Sequence, residues 1–126
     1  MKQQMDIKNE IFKYVKMKYK AKPEYLWRRF PNYAIFRHSD NRKWFALIMD
    51  VEKEKLGLVE KTKVYILNVK IDDTEFRNAL IGREGYFKGY HISRGSWVTV
   101  LLDGTVNLKE ICDLIDISFL STASKK

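Results

Sequence analysis

Apolar residues recur at about every fourth position near the beginning of the chain. The recurring residues are Ile7, Ile11, Val15 and Tyr19, flanked by Phe12 and Tyr14. This period is that of an amphipathic helix, and Asp6 is placed to cap its first turn. The pattern predicts a helix from Asp6 to about Lys20, which Pro23 ends because proline cannot continue the helical hydrogen bonds.

An irregular connection and three strands follow this helix. Residues 25–31 carry aromatic side chains and two arginines without a helical or strand period. Residues 33–38 and 43–51 are rich in aromatic and β-branched side chains and flank the polar link 39–42, which is the pattern of a β-hairpin. The alternating segment 63–71 predicts a third strand.

The second half of the chain combines a short helix with two further strands. Asp72 and Glu75 have the spacing of a capping box, and Gly82 ends the short helix that they begin. Residues 85–92 and 97–102 are typical of strands, and a tight polar turn joins them.

The last predicted helix begins with a second capping box, formed by Asn107 and Glu110. Its apolar stripe consists of Leu108, Ile111, Cys112, Ile115 and Phe119. A cysteine within such a stripe behaves as a small apolar residue. We therefore expect Cys112 to be buried beside Leu108 and Ile115 and not to act as a nucleophile.

The order of these elements indicates the fold class. Helix, three strands, helix, two strands and helix favour a two-layer α+β domain over a parallel, doubly wound fold. The expected architecture is an antiparallel five-stranded sheet with helices on one face. The 126 residues are enough for one hydrophobic core, so residues 1–126 are expected to form a single domain.

The charge balance is the first property that bears on a partner. The chain has 24 Lys and Arg against 16 Asp and Glu, a formal net charge of +8. Such a field attracts polyanions such as nucleic acid, although a well-solvated basic surface gives the same count. Lys13, Lys16 and Lys20 lie together on the polar face of the first helix. We interpret this basic ridge as a solvated surface in preference to a binding surface.

Candidate groups for catalysis or metal binding are few. One cysteine and the histidines His38 and His91 cannot supply the four ligands of a structural zinc site. The common nucleotide-binding and hydrolase motifs are missing. We expect no metal, no cofactor and no catalytic residue, and the remaining enzymatic alternative uses His91 as a general base.

Membrane and export signals are also missing from the sequence. The first residues lack an apolar stretch, and no apolar run approaches the ~20 residues of a membrane-spanning helix. We therefore expect a cytoplasmic protein that does not associate with membranes.

The segment 88–97 carries the most suggestive chemistry. It brings Lys88, Tyr90, His91, Arg94 and Trp97 around a turn between two strands. Such a turn can project from a sheet as a wing, where cations meet phosphates and aromatic rings contact bases. The alternative is that the two aromatic residues anchor the core and the cations are merely exposed. For Trp97 we favour the core.

This segment resembles the MmcQ/YjbR family of small bacterial proteins. The matching residues are Gly89, Tyr90, His91, Trp97 and Val100, followed by the Asp103-Gly104 turn. Lys88, Ser93 and Arg94 stand where the family usually has Pro, Asn and Lys. The pairs Phe30-Pro31 and Phe36-Arg37 and the run Lys43-Trp44-Phe45-Ala46 resemble the family's hairpin.

The resemblance implies the element order already read from the pattern, and it implies DNA binding through a double-wing arrangement. The same general fold resembles type III secretion chaperones, so the alternative partner is a protein segment. The predicted nucleic-acid-binding residues are Lys43, Lys88, Tyr90, His91 and Arg94.

Overall fold

The order of helices and strands matches the prediction. A computed structural model describes residues 2–90 and 95–124. Its elements are α1 (Lys2–Tyr19), β1 (Ala34–Arg37), β2 (Trp44–Glu52), β3 (Lys63–Lys70), α2 (Thr74–Ile81), β4 (Tyr86–Lys88), β5 (Trp97–Leu101) and α3 (Leu108–Thr122), with a 3-10 turn at Lys53–Leu56. The α+β class and the predicted succession of elements are confirmed.

All five strands join one antiparallel sheet in the order β1-β2-β3-β5-β4. Because neighbouring strands run in opposite directions, both hairpin connections, β1 to β2 and β4 to β5, lie at one end of the sheet, which we call the hairpin end. The outer edge of β1 is paired at one point, where the main chains of Glu24 and Ile35 exchange two hydrogen bonds of 2.9 Å.

One face of the sheet, the helical face, is covered by all three helices, as predicted. The helices contribute the buried residues Ile11, Val15, Leu80, Ile111, Leu114 and Ile115, and the sheet contributes Phe36, Ile48, Leu67, Val69, Val98 and Val100. Burial of this apolar area provides most of the stability of such a layer.

The opposite face, which we call the second face, is also apolar. Its buried residues are Ile35, Leu47, Met49, Val51, Val64, Ile66 and Leu101. None of the three α-helices of the described residues covers them. The half-buried side chains that do so are Trp27, Tyr33, Trp44, Leu56, Leu58, Phe87 and Tyr90. The nearly continuous apolar runs of β2 and β3 reflect this burial on both faces.

Helix α1 begins at Lys2, so the prediction that Asp6 caps it was wrong. The first turn is held on the sheet because the Gln4 side-chain oxygen accepts a hydrogen bond from the Tyr65 main-chain N–H at 2.9 Å. Lys20 lies beyond the helix in a left-handed conformation, with φ of 56°. The helical part of the predicted basic ridge is therefore limited to Lys13 and Lys16.

Helix α2 is capped by Asp73 and not by Asp72. The Asp73 carboxylate accepts a hydrogen bond of 2.9 Å from the Phe76 main-chain N–H. The shift has a physical cause, since Ile71 still donates a 2.7 Å hydrogen bond to the Ser96 carbonyl and continues the extended chain of β3. The Asn107 cap of α3 is confirmed by its 2.8 Å hydrogen bond from the Glu110 N–H.

The buried side of α3 is rotated relative to the predicted stripe, and Cys112 is half-buried rather than buried. The fully buried residues are Ile111, Leu114, Ile115, Ser118 and Thr122. Ser118 explains the rotation, because its hydroxyl accepts from the Lys70 N–H at 2.8 Å and donates to the Phe45 carbonyl at 2.7 Å. These two hydrogen bonds draw that side of the helix onto the sheet.

Trp97 is half-buried at the start of β5, opposite Lys70. The expectation that it anchors the core was therefore wrong. Trp97 is the first residue of the strand and is partly exposed, whereas the next residue, Val98, is fully buried.

Candidate nucleic-acid interface

The connection between β1 and β2 presents Lys43 at the hairpin end. The turn is held by hydrogen bonds from the His38 N–H to the Lys43 carbonyl (3.0 Å) and from the Arg42 N–H to the His38 carbonyl (3.1 Å). The Asn41 side chain ties it to α3 by donating to the Thr122 carbonyl at 2.8 Å. Lys43 is exposed on this turn.

Lys88 is exposed at the end of β4, also at the hairpin end. The hairpin continues with a 3.1 Å hydrogen bond from the Gly89 N–H to the Trp97 carbonyl. His91 and Arg94 lie outside the described residues. Neither Lys43 nor Lys88 has an ion pair within residues 2–90 and 95–124. Strands β2 and β4 are three strand spacings apart, or about 14 Å.

Tyr90 is fixed to the second face by two buried polar side chains. The Asn68 amide group donates to the Tyr90 carbonyl at 3.1 Å, and the Thr99 hydroxyl accepts from the Tyr90 N–H at 2.8 Å. Thr99 also donates to the Asn68 side-chain oxygen across the β3–β5 ladder. Because both residues are fully buried, these hydrogen bonds fix one position for the chain at Tyr90.

The Tyr90 side chain lies half-buried against the apolar residues of the second face. It lines an open cleft of about 510 Å³ together with residues of the connection 25–33 and of β2. The described start of the β4–β5 turn therefore folds onto the sheet, whereas one of the two interpretations of the sequence was a turn that projects from it.

Aromatic side chains continue along the second face from the hairpin end. Trp27 meets Trp44 edge to face with ring centroids 5.7 Å apart, and it meets Tyr33 in the same manner at 5.8 Å. Phe30 stacks on Tyr33 with centroids 4.6 Å apart and an interplanar angle of 13°. The connection 25–31 thus brings Trp27 and Phe30 to the same face as Tyr90.

The second-face residues were missed by sequence reasoning because their contacts join distant segments. Asn68 and Thr99 are 31 residues apart. A polar Asn68 inside the apolar run of β3 was the available indication of a buried polar pair. Nothing in the local pattern of Trp27 or Tyr33 indicated that they cover a sheet.

The other ionisable groups of interest serve the fold. The Thr122 hydroxyl donates to the Ser118 carbonyl at 2.8 Å and shares a 2.8 Å hydrogen bond with His38 Nε2. Burial lowers the pKa of His38 from its usual value, which favours the neutral ring. Burial raises the pKa of the Cys112 thiol to about 11.

Two further findings concern metals and membranes. Within residues 2–90 and 95–124, no three His, Cys, Asp or Glu side chains come together as a metal site would require. No helix in that part of the chain combines the length and apolar character needed to cross a bilayer.

Comparison with known proteins identifies the family. The YjbR family model matches residues 16–121, a range that includes all five predicted binding residues. The chain is 42% identical over 112 residues to the uncharacterized protein YyaQ of Bacillus subtilis (strain 168), covering 89% of this chain and 94% of that protein. The protein belongs to the YjbR family.

Solved structures support the same fold. A crystal structure of a Pseudomonas syringae protein superposes with a TM-score of 0.87 at 40% identity, covering 91% of this chain and 97% of that one. A Deinococcus radiodurans protein of 23% identity has a TM-score of 0.58 over 83% of this chain and 70% of its own, and this likeness concerns the fold alone.

Proposed function

We propose that the protein binds nucleic acid, most directly DNA, at the hairpin end of its sheet. The observation that carries this proposal is the placement of Lys43 and Lys88 on two separate hairpins that meet at one end. Both side chains are exposed and lack a carboxylate partner among the described residues. They are therefore free to contact phosphates.

The overall charge supports the same proposal. A net charge of +8 attracts a polyanion over longer range than any single contact. Lysine and arginine contacts to phosphates supply affinity that does not depend on base sequence. His91 and Arg94 lie between Lys88 and Trp97 in the chain, and we expect Arg94 to add a further phosphate contact.

Paired neutralisations test this proposal. In fluorescence-anisotropy titrations against duplex and single-stranded oligonucleotides at two salt concentrations, Lys43→Gln/Lys88→Gln is expected to weaken binding to all sequences alike. On duplex DNA, the slope of log K against log salt should become shallower by about two units, because each of the two lost phosphate contacts contributes ~0.9. Lys13→Gln/Lys16→Gln removes the same charge from α1 and serves as the matched control. An equal loss of affinity in both variants would place the binding surface elsewhere.

A protein partner remains the alternative class, favoured by the exposure of Tyr25, Leu26 and Phe30. Such side chains are typical of protein-binding surfaces. Recruitment of a strand to β1 is disfavoured near Ile35, because Glu24 already uses both main-chain hydrogen bonds there. Arg28 and Arg29 are exposed between Leu26 and Phe30 in the chain and fit an anionic partner better than a neutral one.

The proposed role is binding and not catalysis. The buried His38, whose pKa is lowered, is engaged with Thr122. The Cys112 thiol, with its raised pKa, is a poor nucleophile at neutral pH. These properties suit structural residues better than a general base or a covalent nucleophile.

A further inference from the structure

We infer that the bound nucleic acid is single-stranded and that an unpaired base stacks on Phe30 at the cleft beside Tyr90. This inference rests on the proposed function and extends it from the phosphates at the hairpin end to the bases. The cleft is lined by Arg29, Phe30, Tyr33, Asp50, Lys55, Lys63 and Tyr90, among others. Its volume of about 510 Å³ is in the range of small-ligand sites.

The ring of Phe30 provides the stacking surface. One side of it stacks on Tyr33, and 47% of the residue is nevertheless exposed to solvent. Tyr33 is in turn supported edge to face by Trp27. A base placed on the open side of Phe30 would extend an existing aromatic stack, which is the arrangement that holds bases in single-strand binding proteins.

Cations at this cleft are available for the phosphates of the same strand. Arg29 and Lys55 are exposed, and neither forms an ion pair within the described residues. Lys63 is 3.9 Å from the Asp50 carboxylate and is therefore partly neutralised. Arg29 and Lys55 supply the attraction that backbone phosphates require.

The polar groups of the cleft favour a base edge over a phosphate. The Asp50 carboxylate accepts one hydrogen bond, from the Asn32 amide at 3.1 Å, and retains acceptor capacity. Carboxylates repel phosphates but accept from the exocyclic amino groups of bases. Burial, with Tyr90 and Asp50 close by, raises the pKa of Tyr33, so its phenol remains a donor.

Two properties make an unpaired base the fitting occupant. Bases of a duplex are already stacked on their neighbours and paired at their edges, so they cannot cover Phe30 without being extruded. Tyr90, on the other side of the cleft, is held in place by Asn68 and Thr99. A preformed cleft avoids the cost of ordering its walls when the strand binds.

The test compares Phe30→Ala with Phe76→Ala, a matched removal of an exposed phenyl ring. Phe76 is 39% exposed on α2, whose Leu80 packs on the helical face. Anisotropy is measured with a single-stranded oligonucleotide and with its duplex at one salt concentration. Wild type should bind the single strand more tightly than the duplex. Phe30→Ala should lower the single-strand affinity by about 5- to 150-fold.

Further measurements separate stacking from charge and from folding. Phe30→Tyr should retain single-strand affinity. Phe30→Ala should leave the salt slope unchanged, while Arg29→Gln/Lys55→Gln should lower both the slope and the single-strand affinity. Affinities are compared only between variants whose melting temperatures match that of wild type. If Phe30→Ala is unstable, Arg29→Gln/Lys55→Gln takes its place as the deciding variant.

The outcomes distinguish this inference from the function on which it rests. Equal losses in Phe30→Ala and Phe76→Ala, or a preference of wild type for duplex, would overturn the single-strand inference and leave DNA binding intact. Binding of neither oligonucleotide at low salt would overturn both and favour a protein partner.

Discussion

The Asn68 side chain on β3 and the Thr99 side chain on β5 hydrogen bond to each other within the buried second face, and together they hold the main chain of Tyr90. This arrangement links the middle of the sheet to the hairpin that carries Lys88. It explains why Tyr90 lies on the second face and gives the cleft beside it one preformed wall.

Removing one partner of this pair should be costly. Thr99→Val keeps the shape of the side chain but leaves the Asn68 oxygen and the Tyr90 N–H without their partner, so we expect a loss of about 1–3 kcal/mol in the free energy of unfolding. The exposed Thr62→Val is the control. In urea denaturation, a Thr99→Val loss no larger than that of the control would contradict the role of the pair.

Coupling between the two side chains gives a second measurement of the same arrangement. A double-mutant cycle with Asn68→Leu and Thr99→Val should show an interaction energy of about 0.5–3 kcal/mol, because the residues share one hydrogen-bond network. Hydrogen exchange at the Tyr90 amide should accelerate in each single variant. Strictly additive losses with unchanged exchange would show that the two side chains act independently.

Ser118 should be important for the docking of α3. Ser118→Ala leaves the Lys70 N–H and the Phe45 carbonyl unpaired in the interior, with an expected loss of about 1–3 kcal/mol for each group that water cannot reach. Ser121→Ala makes the same change about one helical turn further along α3. Both variants therefore gain the same helix propensity. Thermal unfolding should separate them clearly, and equal melting temperatures would refute the bridging role.

Asp116 should make stability dependent on acid pH. Its burial opposes ionisation, but hydrogen bonds from Tyr19, Lys18 and Tyr14 outweigh burial and hold its pKa below the usual value. A carboxyl group whose pKa is lowered by folding stabilises the fold above its unfolded pKa of about 3.9 and loses that contribution as pH falls through its folded pKa. The stability difference between wild type and Asp116→Asn should therefore be largest above about pH 4 and should narrow at lower pH. A difference that stays constant with pH would exclude this linkage.

The Cys112 thiol should react slowly despite being half-buried. Because burial raises its pKa to about 11, little thiolate exists at neutral pH, and the rate of alkylation by iodoacetamide should rise steeply with pH up to about that value. Rapid alkylation at pH 7 would contradict the raised pKa.

The sequence predicted those features whose physical causes are local. The period of Ile7, Ile11 and Val15 identified α1, and the Asn107 cap identified the start of α3. Both patterns involve only residues that are close together in the sequence. The rotation of α3 could not be predicted in this way, since it depends on hydrogen bonds from Ser118 to two strands that are distant in the sequence.

The same distinction between local patterns and long-range contacts applies to the candidate site. Lys88 and Tyr90 could be proposed from the sequence because they are close together in the chain and lie beside a predicted turn. The contribution of Phe30 and Tyr33 depends on how the connection 25–33 folds across the second face. No local period indicates that path.

The proposal of nucleic-acid binding is tested most directly by measuring how the affinity of the wild-type protein for an oligonucleotide depends on salt. Titration of a labelled single-stranded oligonucleotide at several salt concentrations should give a straight line of log K against log salt. Phosphate contacts from Lys43, Lys88 and Arg94 predict a slope of about −2 or steeper, at ~0.7 per contact on a single strand. Absence of binding at low salt, or an affinity that does not change with salt, would contradict the proposal that this hairpin end is a nucleic-acid interface.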